Sequence, residues 1–240
     1  MTQLSLRESK CGDCPIRHQA VCARCEPDEL QLLEQMKYYR SYEAGQQIVW
    51  AGDEMGFVGS VVTGVANLSK TMEDGRRQMV GLLLPSDFVG RPGRSSSPYD
   101  IVASSDLTLC CFRRGPFEAL VSSTPNVADR LLAMTLDELD AARNWMLILG
   151  RKTAREKIAS LIAILAKRES NLGHRPVATP IELELPLTRE AMADYLGLTL
   201  ETVSRQMSAL KAEGIIELAS ARRVKVPNLA RLTLAAGDEP

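Results

Sequence analysis

The 240-residue sequence predicts an α+β fold: an N-terminal antiparallel β-roll (a double-stranded jelly roll), a long helix and a C-terminal winged helix-turn-helix. Three observations predict it. From Tyr38 to Phe112, short β-type runs alternate with glycine-containing turns about every 8–12 residues, the texture of an antiparallel sandwich or roll. From Pro125-Asn126 to about Gly150 the apolar residues recur with a seven-residue period. From Thr188 to Gly214 two short amphipathic segments meet at Gly197-Leu198-Thr199, and two β-type runs follow.

Composition bounds the function. The chain is 45% hydrophobic and 25% charged, ordinary for a globular protein, and long enough for two domains. Its net charge of −1 hides an asymmetry: residues 1–150 carry 15 Lys+Arg against 19 Asp+Glu, residues 151–240 carry 14 against 11. The positive end is only mildly so, and specific contacts must supplement attraction to phosphates there. No apolar run approaches the roughly 18 residues of a membrane span, and MTQLSLRESK lacks a signal-peptide core. A cytoplasmic protein is expected. Disulfides are rare in that compartment, and the six cysteines point to metal binding or redox chemistry.

In chain order, Cys11, Cys14, Cys22 and Cys25 come first, as C-x2-C-x7-C-x2-C in a loop-like arm. Four thiolates so spaced suit tetrahedral zinc or an iron–sulfur cluster. A redox dithiol lacks the βαβ surroundings it would need. Asp28 to Met36 reads as a short helix with Leu30 and Leu33 inward. The roll then takes Ile48-Val49-Trp50, Phe57 to Val62, Val65 to Lys70, Gln78 to Leu84 and Leu107 to Phe112 as strands, with Arg91 to Tyr99 as a loop. The last strand holds Cys110 and Cys111, whose side chains must face opposite ways, so at most one meets a given partner.

In the long helix Leu132, Leu139 and Met146 recur every seven residues, with Ala128, Thr135, Ala142 and Leu149 between them. Periodicity alone fits a core helix as well as a dimer seam. A helix-turn-helix reader usually works as a two-fold dimer, so Leu132, Leu139, Met146 and Leu149 are assigned to a homodimer seam. Thr153 to Arg168 is a further amphipathic helix.

In the helix-turn-helix, Thr188 and Thr199 stand as N-caps and Gly197 as the left-handed turn residue. Val203, Met207 and Leu210 form the apolar face of the second helix, and Glu201, Ser204, Arg205 and Ser208 the polar one. Arg can bond guanine bidentately, Glu can accept from cytosine, and Ser serves either way. A polar face alone is usually just solvated. Ile215 to Leu218 and Arg223 to Val226 add a basic wing, and the combination points to double-stranded DNA.

Roll, long helix and winged helix-turn-helix in this order resemble the cyclic-AMP-receptor/FNR (Crp/Fnr) family of bacterial regulators, from about Glu29 onward. The likeness is closest at Gly197 to Arg205, GLTLETVSR, which is similar to the recognition-helix motif of the FNR branch. That resemblance implies that Glu201, Ser204 and Arg205 read a TTGAT half-site repeated as an inverted palindrome. It implies domains at 1–28 (cluster-binding arm), 29–124 (sensor roll), 125–152 (dimerisation helix) and 153–240 (DNA reader). The arm spacing C-x2-C-x7-C is similar to that of the alphaproteobacterial FNR-like branch, implying a [4Fe-4S] cluster on Cys11, Cys14 and Cys22; Cys25 departs from the pattern as either a spare or a substitute ligand. Counted back from Pro125-Asn126, the family's roll cysteine falls at Cys110. Oxygen would convert such a cluster to [2Fe-2S] and weaken dimerisation and DNA binding, and promoter activation would require RNA polymerase. Cyclic-nucleotide members have a glycine-acid signature followed by a phosphate-binding arginine. Asp87 to Gly93, DFVGRPG, lacks that acid, and no cyclic nucleotide is expected.

The competing expectation is a zinc-stabilised regulator with a closed Cys11, Cys14, Cys22, Cys25 site and no response to oxygen. An enzyme is not expected. Only His18 and His174 are present, without a nucleophile motif or phosphate loop.

Overall fold

A computed structural model describes residues 10–172 and 180–239. Part of the arm's N-terminal side and His174 lie outside that range. The chain folds as two compact units, Met1–Asp140 and Ala141–Pro240.

The first unit opens with a 3-10 turn, Cys11–Asp13, and helix α1, Pro27–Met36. Pro27 suits the first helical position, and Glu26 and Glu29 form a reciprocal capping box there. Eight strands follow: β1 Tyr38–Tyr42, β2 Gln47–Val49, β3 Phe57–Thr63, β4 Ala66–Thr71, β5 Arg77–Leu83, β6 Phe88–Val89, β7 Asp100–Ala103 and β8 Leu107–Arg113. They make two four-stranded antiparallel sheets, ordered β1-β8-β3-β6 and β2-β7-β4-β5. The expected roll is present. Phe57, Val61, Leu107, Leu109 and Cys111 fill the space between the sheets with Met55, Leu83 and Ile101. Trp50, expected as strand, lies beyond β2 and is exposed.

Alternation along β3 and β8 turns Val58, Cys110 and Phe112 to the outer face. There they meet Val21 of the arm, Leu33 of α1, and Phe117 and Leu120 of helix α2, Arg114–Ser123. Phe117 stacks on both Phe88 and Phe112, at 5.6 and 5.2 Å between ring centroids. Sequence pattern does not signal α2, because Gly115 and Pro116 read as breakers; they sit in its first turn, where proline is tolerated. A single residue, Thr124, separates α2 from helix α3, Pro125–Arg151. Val127, at the foot of α3, is fully buried in the same outer core.

Gly59 marks the tightest approach of β3 to β8. A Cβ there would stand 2.5 Å from the Cys110 carbonyl oxygen and 3.2 Å from the Cys111 Cα. Both atoms are backbone, so the strands themselves must move. Gly59→Ala is expected to destabilise the roll by about 1–3 kcal/mol, read as a lower urea midpoint at unchanged slope.

The second unit comprises the end of α3, helix α4 (Ala154–Leu172), strand β9 (Ile181–Glu184), helices α5 (Arg189–Leu196) and α6 (Leu200–Ala212), strands β10 (Glu217–Leu218) and β11 (Arg223–Val226), and helix α7 (Leu229–Ala235). Its core gathers Ile158, Leu161 and Ile162 of α4 with Leu196, Met207 and Leu210. The wing is a three-stranded antiparallel sheet, β10-β11-β9. Its third strand, β9, is an addition to the two expected, with Ile181 and Leu183 alternating inward against exposed Glu182 and Glu184.

Candidate functional site

Two sites emerge, one in each unit. In the first, the arm folds against the outer face of β8. The Arg17 guanidinium donates to the Cys22 and Cys25 carbonyls at 2.5 and 3.0 Å, closing the arm on itself. The Cys11 amide donates to the Glu34 carboxylate of α1 at 3.1 Å, and Lys37 Nζ reaches Cys11 Sγ at 3.4 Å. Arg130, in the second turn of α3, donates to the Gln19 and Ala20 carbonyls, and Asn126 bonds Glu29 at 3.1 Å. The arm is thereby tied to α1 and to the foot of the long helix.

The thiols report on one another. Burial pushes the Cys110 thiol well above its ordinary value, and the nearby Cys14, Cys11, Cys22 and Cys111 raise it further. Cys110 retains some exposed surface, yet its thiol is crowded from the arm side. Burial likewise pushes Cys22 up to about 12, opposed by Arg17 and reinforced by Cys14, Cys25 and Cys11. Cys25, pushed by burial to about 11, responds to Glu29, Arg17 and Cys11. Cys22 and Cys25 both pack in the outer cluster with Cys110. Cys111 faces the other way: it packs between the sheets, and burial raises it to about 12. Burial favours the protonated form of these thiols, and a cationic centre bound among them would favour the thiolate. Among the described residues no three His, Cys, Asp or Glu side chains converge closely enough for one metal ion.

In the second unit, the Ala191 amide donates to Thr188 Oγ1 at 3.1 Å and the Thr202 amide to Thr199 Oγ1 at 3.2 Å, capping α5 and α6. Gly197 adopts φ 62° in the turn between them. Val203, Met207 and Leu210 are buried, which turns Glu201, Ser204, Arg205 and Ser208 outward. Leu200 joins this outward group unforeseen, although an apolar residue beside Glu201 at the head of the helix is a signal. It is 45% exposed.

Matches to known families fall on the same two units. Residues 156–234 match the model for the Crp-like helix-turn-helix domain, and residues 39–124 that for the cyclic nucleotide-binding domain. The chain is 67% identical over 230 residues to transcriptional activator protein FnrL of Cereibacter sphaeroides, covering 96% of this chain and 93% of that protein. It belongs to the Crp/Fnr family of transcriptional regulators. As a Crp/Fnr protein it is a DNA-binding regulator of gene expression and not an enzyme. The FixK nitrogen fixation regulator of Bradyrhizobium diazoefficiens is 35% identical over 87% of this chain and 86% of its own. The solved structure of FixK2 from Bradyrhizobium japonicum superposes with a TM-score of 0.74 at 34% identity, covering 85% of this chain and 98% of that one.

The long helix of this Crp/Fnr regulator carries an exposed apolar row. Leu132, Leu136 and Leu139 are 59, 53 and 44% exposed in the first unit, and Met146 and Leu147 are 73 and 56% exposed in the second. Leu149 is half-buried. Leu136 flanks Leu132 and Leu139 in the first unit, and Leu147 stands beside Met146 in the second. No helix among the described residues is long and apolar enough to cross a membrane.

Proposed function

We propose that this regulator senses oxygen through a [4Fe-4S] cluster on Cys11, Cys14, Cys22 and Cys110. As a homodimer with the cluster intact, it binds TTGAT-type inverted repeats and activates anaerobic gene expression. The observation that carries this reading is the place of Cys110 on the outer face of β8, in the same cluster as Cys22 and Cys25 of the arm, while Cys111 packs between the sheets. Soft thiolates drawn from both the arm and the roll suit a cluster, whereas a closed zinc site would need the arm cysteines alone. The relative named a transcriptional activator supports activation, which needs a surface for RNA polymerase.

A bound cluster supplies an oxygen-labile tie between arm and roll. The chain's own residues carry the consequence. Arg17 fixes the arm loop, and Arg130 holds that loop to α3 through the Gln19 and Ala20 carbonyls. Any shift of the arm is felt near the start of α3, close to Leu132, the first residue of the proposed seam. At the other end of α3, Trp145 stacks on Tyr195 of α5, ring centroids 4.2 Å apart, tying the helix to the reader. On this reading the arm, roll, seam and reader divide at 1–28, 29–124, 125–152 and 153–240. A cyclic nucleotide has no place in this reading, because Asp87 to Gly93 lacks the acid that follows the glycine in nucleotide-binding members.

In the reader, Glu201, Ser204 and Arg205 meet base edges, and Leu200 offers a thymine methyl an apolar contact. Arg205→Ala is expected to cost about 1–3 kcal/mol on a TTGAT palindrome and to relax the preference for guanine. Equal weakening on all sequences would make Arg205 a phosphate contact. The whole reading is tested by DNA-binding anisotropy on that palindrome without air and after exposure to it. Binding should fall roughly tenfold or more in air; equal affinity in both states contradicts oxygen sensing.

A further inference from the structure

We propose that the Ser60 hydroxyl donates a hydrogen bond to the metal–sulfur group held by Cys110 and thereby raises the reduction potential of that group. The inference rests on the [4Fe-4S] reading above. Ser60 is 2% exposed, and its Oγ is buried without a hydrogen-bond partner. Native proteins rarely leave a buried hydroxyl so, because desolvating a donor without an acceptor is unfavourable.

Its position says what the acceptor is. Strand β3 pairs antiparallel with β8, and Ser60 stands directly opposite Cys110. Directly opposed residues project to the same face, with Cβ atoms about 4.5–5.5 Å apart. The neighbours agree: Val58 and Phe112, two residues along on each strand, share the outer core with Cys110, whereas Val61 and Cys111 face between the sheets. On its other side Ser60 pairs with Phe88 of β6, whose ring offers no acceptor oxygen. Its neighbours in the outer cluster, Val58, Phe88 and Phe112, are apolar. The hydroxyl therefore serves something sulfur-rich on the arm side, either the Cys110 thiolate or an inorganic sulfide bonded to it. A donor to cluster sulfur favours the more electron-rich state, raises the potential and slows oxidative loss.

The test compares Ser60→Ala and Ser60→Thr with the wild-type chain, all purified without air. The readouts are iron and sulfide content, midpoint potential, bleaching of cluster absorbance in air, and the thermal melt of the apoprotein. All three proteins should take up the cluster. Ser60→Ala should have a lower potential and bleach about tenfold faster, the effect of one hydrogen bond to a charged acceptor. Ser60→Thr, which keeps the hydroxyl, should follow the wild type. The Ser60→Ala apoprotein should melt no lower than the wild type, since an unsatisfied donor has been removed. Bleaching and potential unchanged in Ser60→Ala, with a cluster in the wild type, overturn the proposal alone. Equal acceleration in both variants also overturns it, assigning the effect to packing. A wild-type chain carrying zinc and no sulfide overturns the parent reading as well.

Discussion

Replacing Cys110 by alanine is expected to abolish iron and sulfide retention and with it any difference in DNA binding between air and its exclusion. Replacing Cys111, one residue away, is expected to preserve both. The contrast follows from the two-residue period of a strand. Cys110 shares the outer face of β8 with the arm thiols, while Cys111 is sealed between the sheets among Leu107, Leu109 and Phe57. Losing the Cys111 sulfur leaves a small cavity, at about 1 kcal/mol in the urea midpoint. Losing the Cys110 sulfur touches a partly exposed position, so the fold should survive while the fourth ligand disappears. Loss of the cluster in Cys111→Ala and its retention in Cys110→Ala would mean that β8 is paired one residue out of register.

Leu139→Asp is expected to convert the proposed dimer to monomers without unfolding the chain. Leu139 is 44% exposed within one chain and lies in a row with Leu132 and Leu136, so the charge is tolerated in an isolated subunit. In a two-fold interface the row meets its own copy, and every change counts twice. Each leucine lost from a buried seam removes about 1.5–3 kcal/mol, and an unpaired buried carboxylate adds several more. The sum exceeds about 4 kcal/mol, so the dissociation constant should rise about a thousandfold or more. Sedimentation would show monomers at micromolar concentration, with binding to a palindrome reduced to that of a half-site. A variant that stays dimeric places the interface elsewhere on the surface.

The reader is more legible in the sequence than the arm, for physical reasons. The reader's signals are local. Thr188 and Thr199 cap helices, Gly197 takes the left-handed turn, and Val203, Met207 and Leu210 recur at helical spacing, each within one turn of its partners. The roll's strands are visible wherever glycine turns bound them. Strands β1, β6, β7 and β9 are not read from the sequence, β6 because it has only two residues, and α2 escapes because Gly115 and Pro116 resemble a break when they stand in a first turn. The grouping around Cys110 depends on pairings between residues far apart in the chain, such as Arg130 with Ala20 and Ser60 opposite Cys110. No local spacing encodes those. Alternation does separate Cys110 from Cys111, but choosing between them requires the arm to be seen on one face.

The most direct test of the central claim is the iron, acid-labile sulfide and zinc content of the wild-type chain purified without air. About four irons and four sulfides per chain, lost on exposure to air, are predicted. Zinc at about one per chain with no sulfide would contradict it, leaving a Crp/Fnr regulator whose arm is a closed structural site.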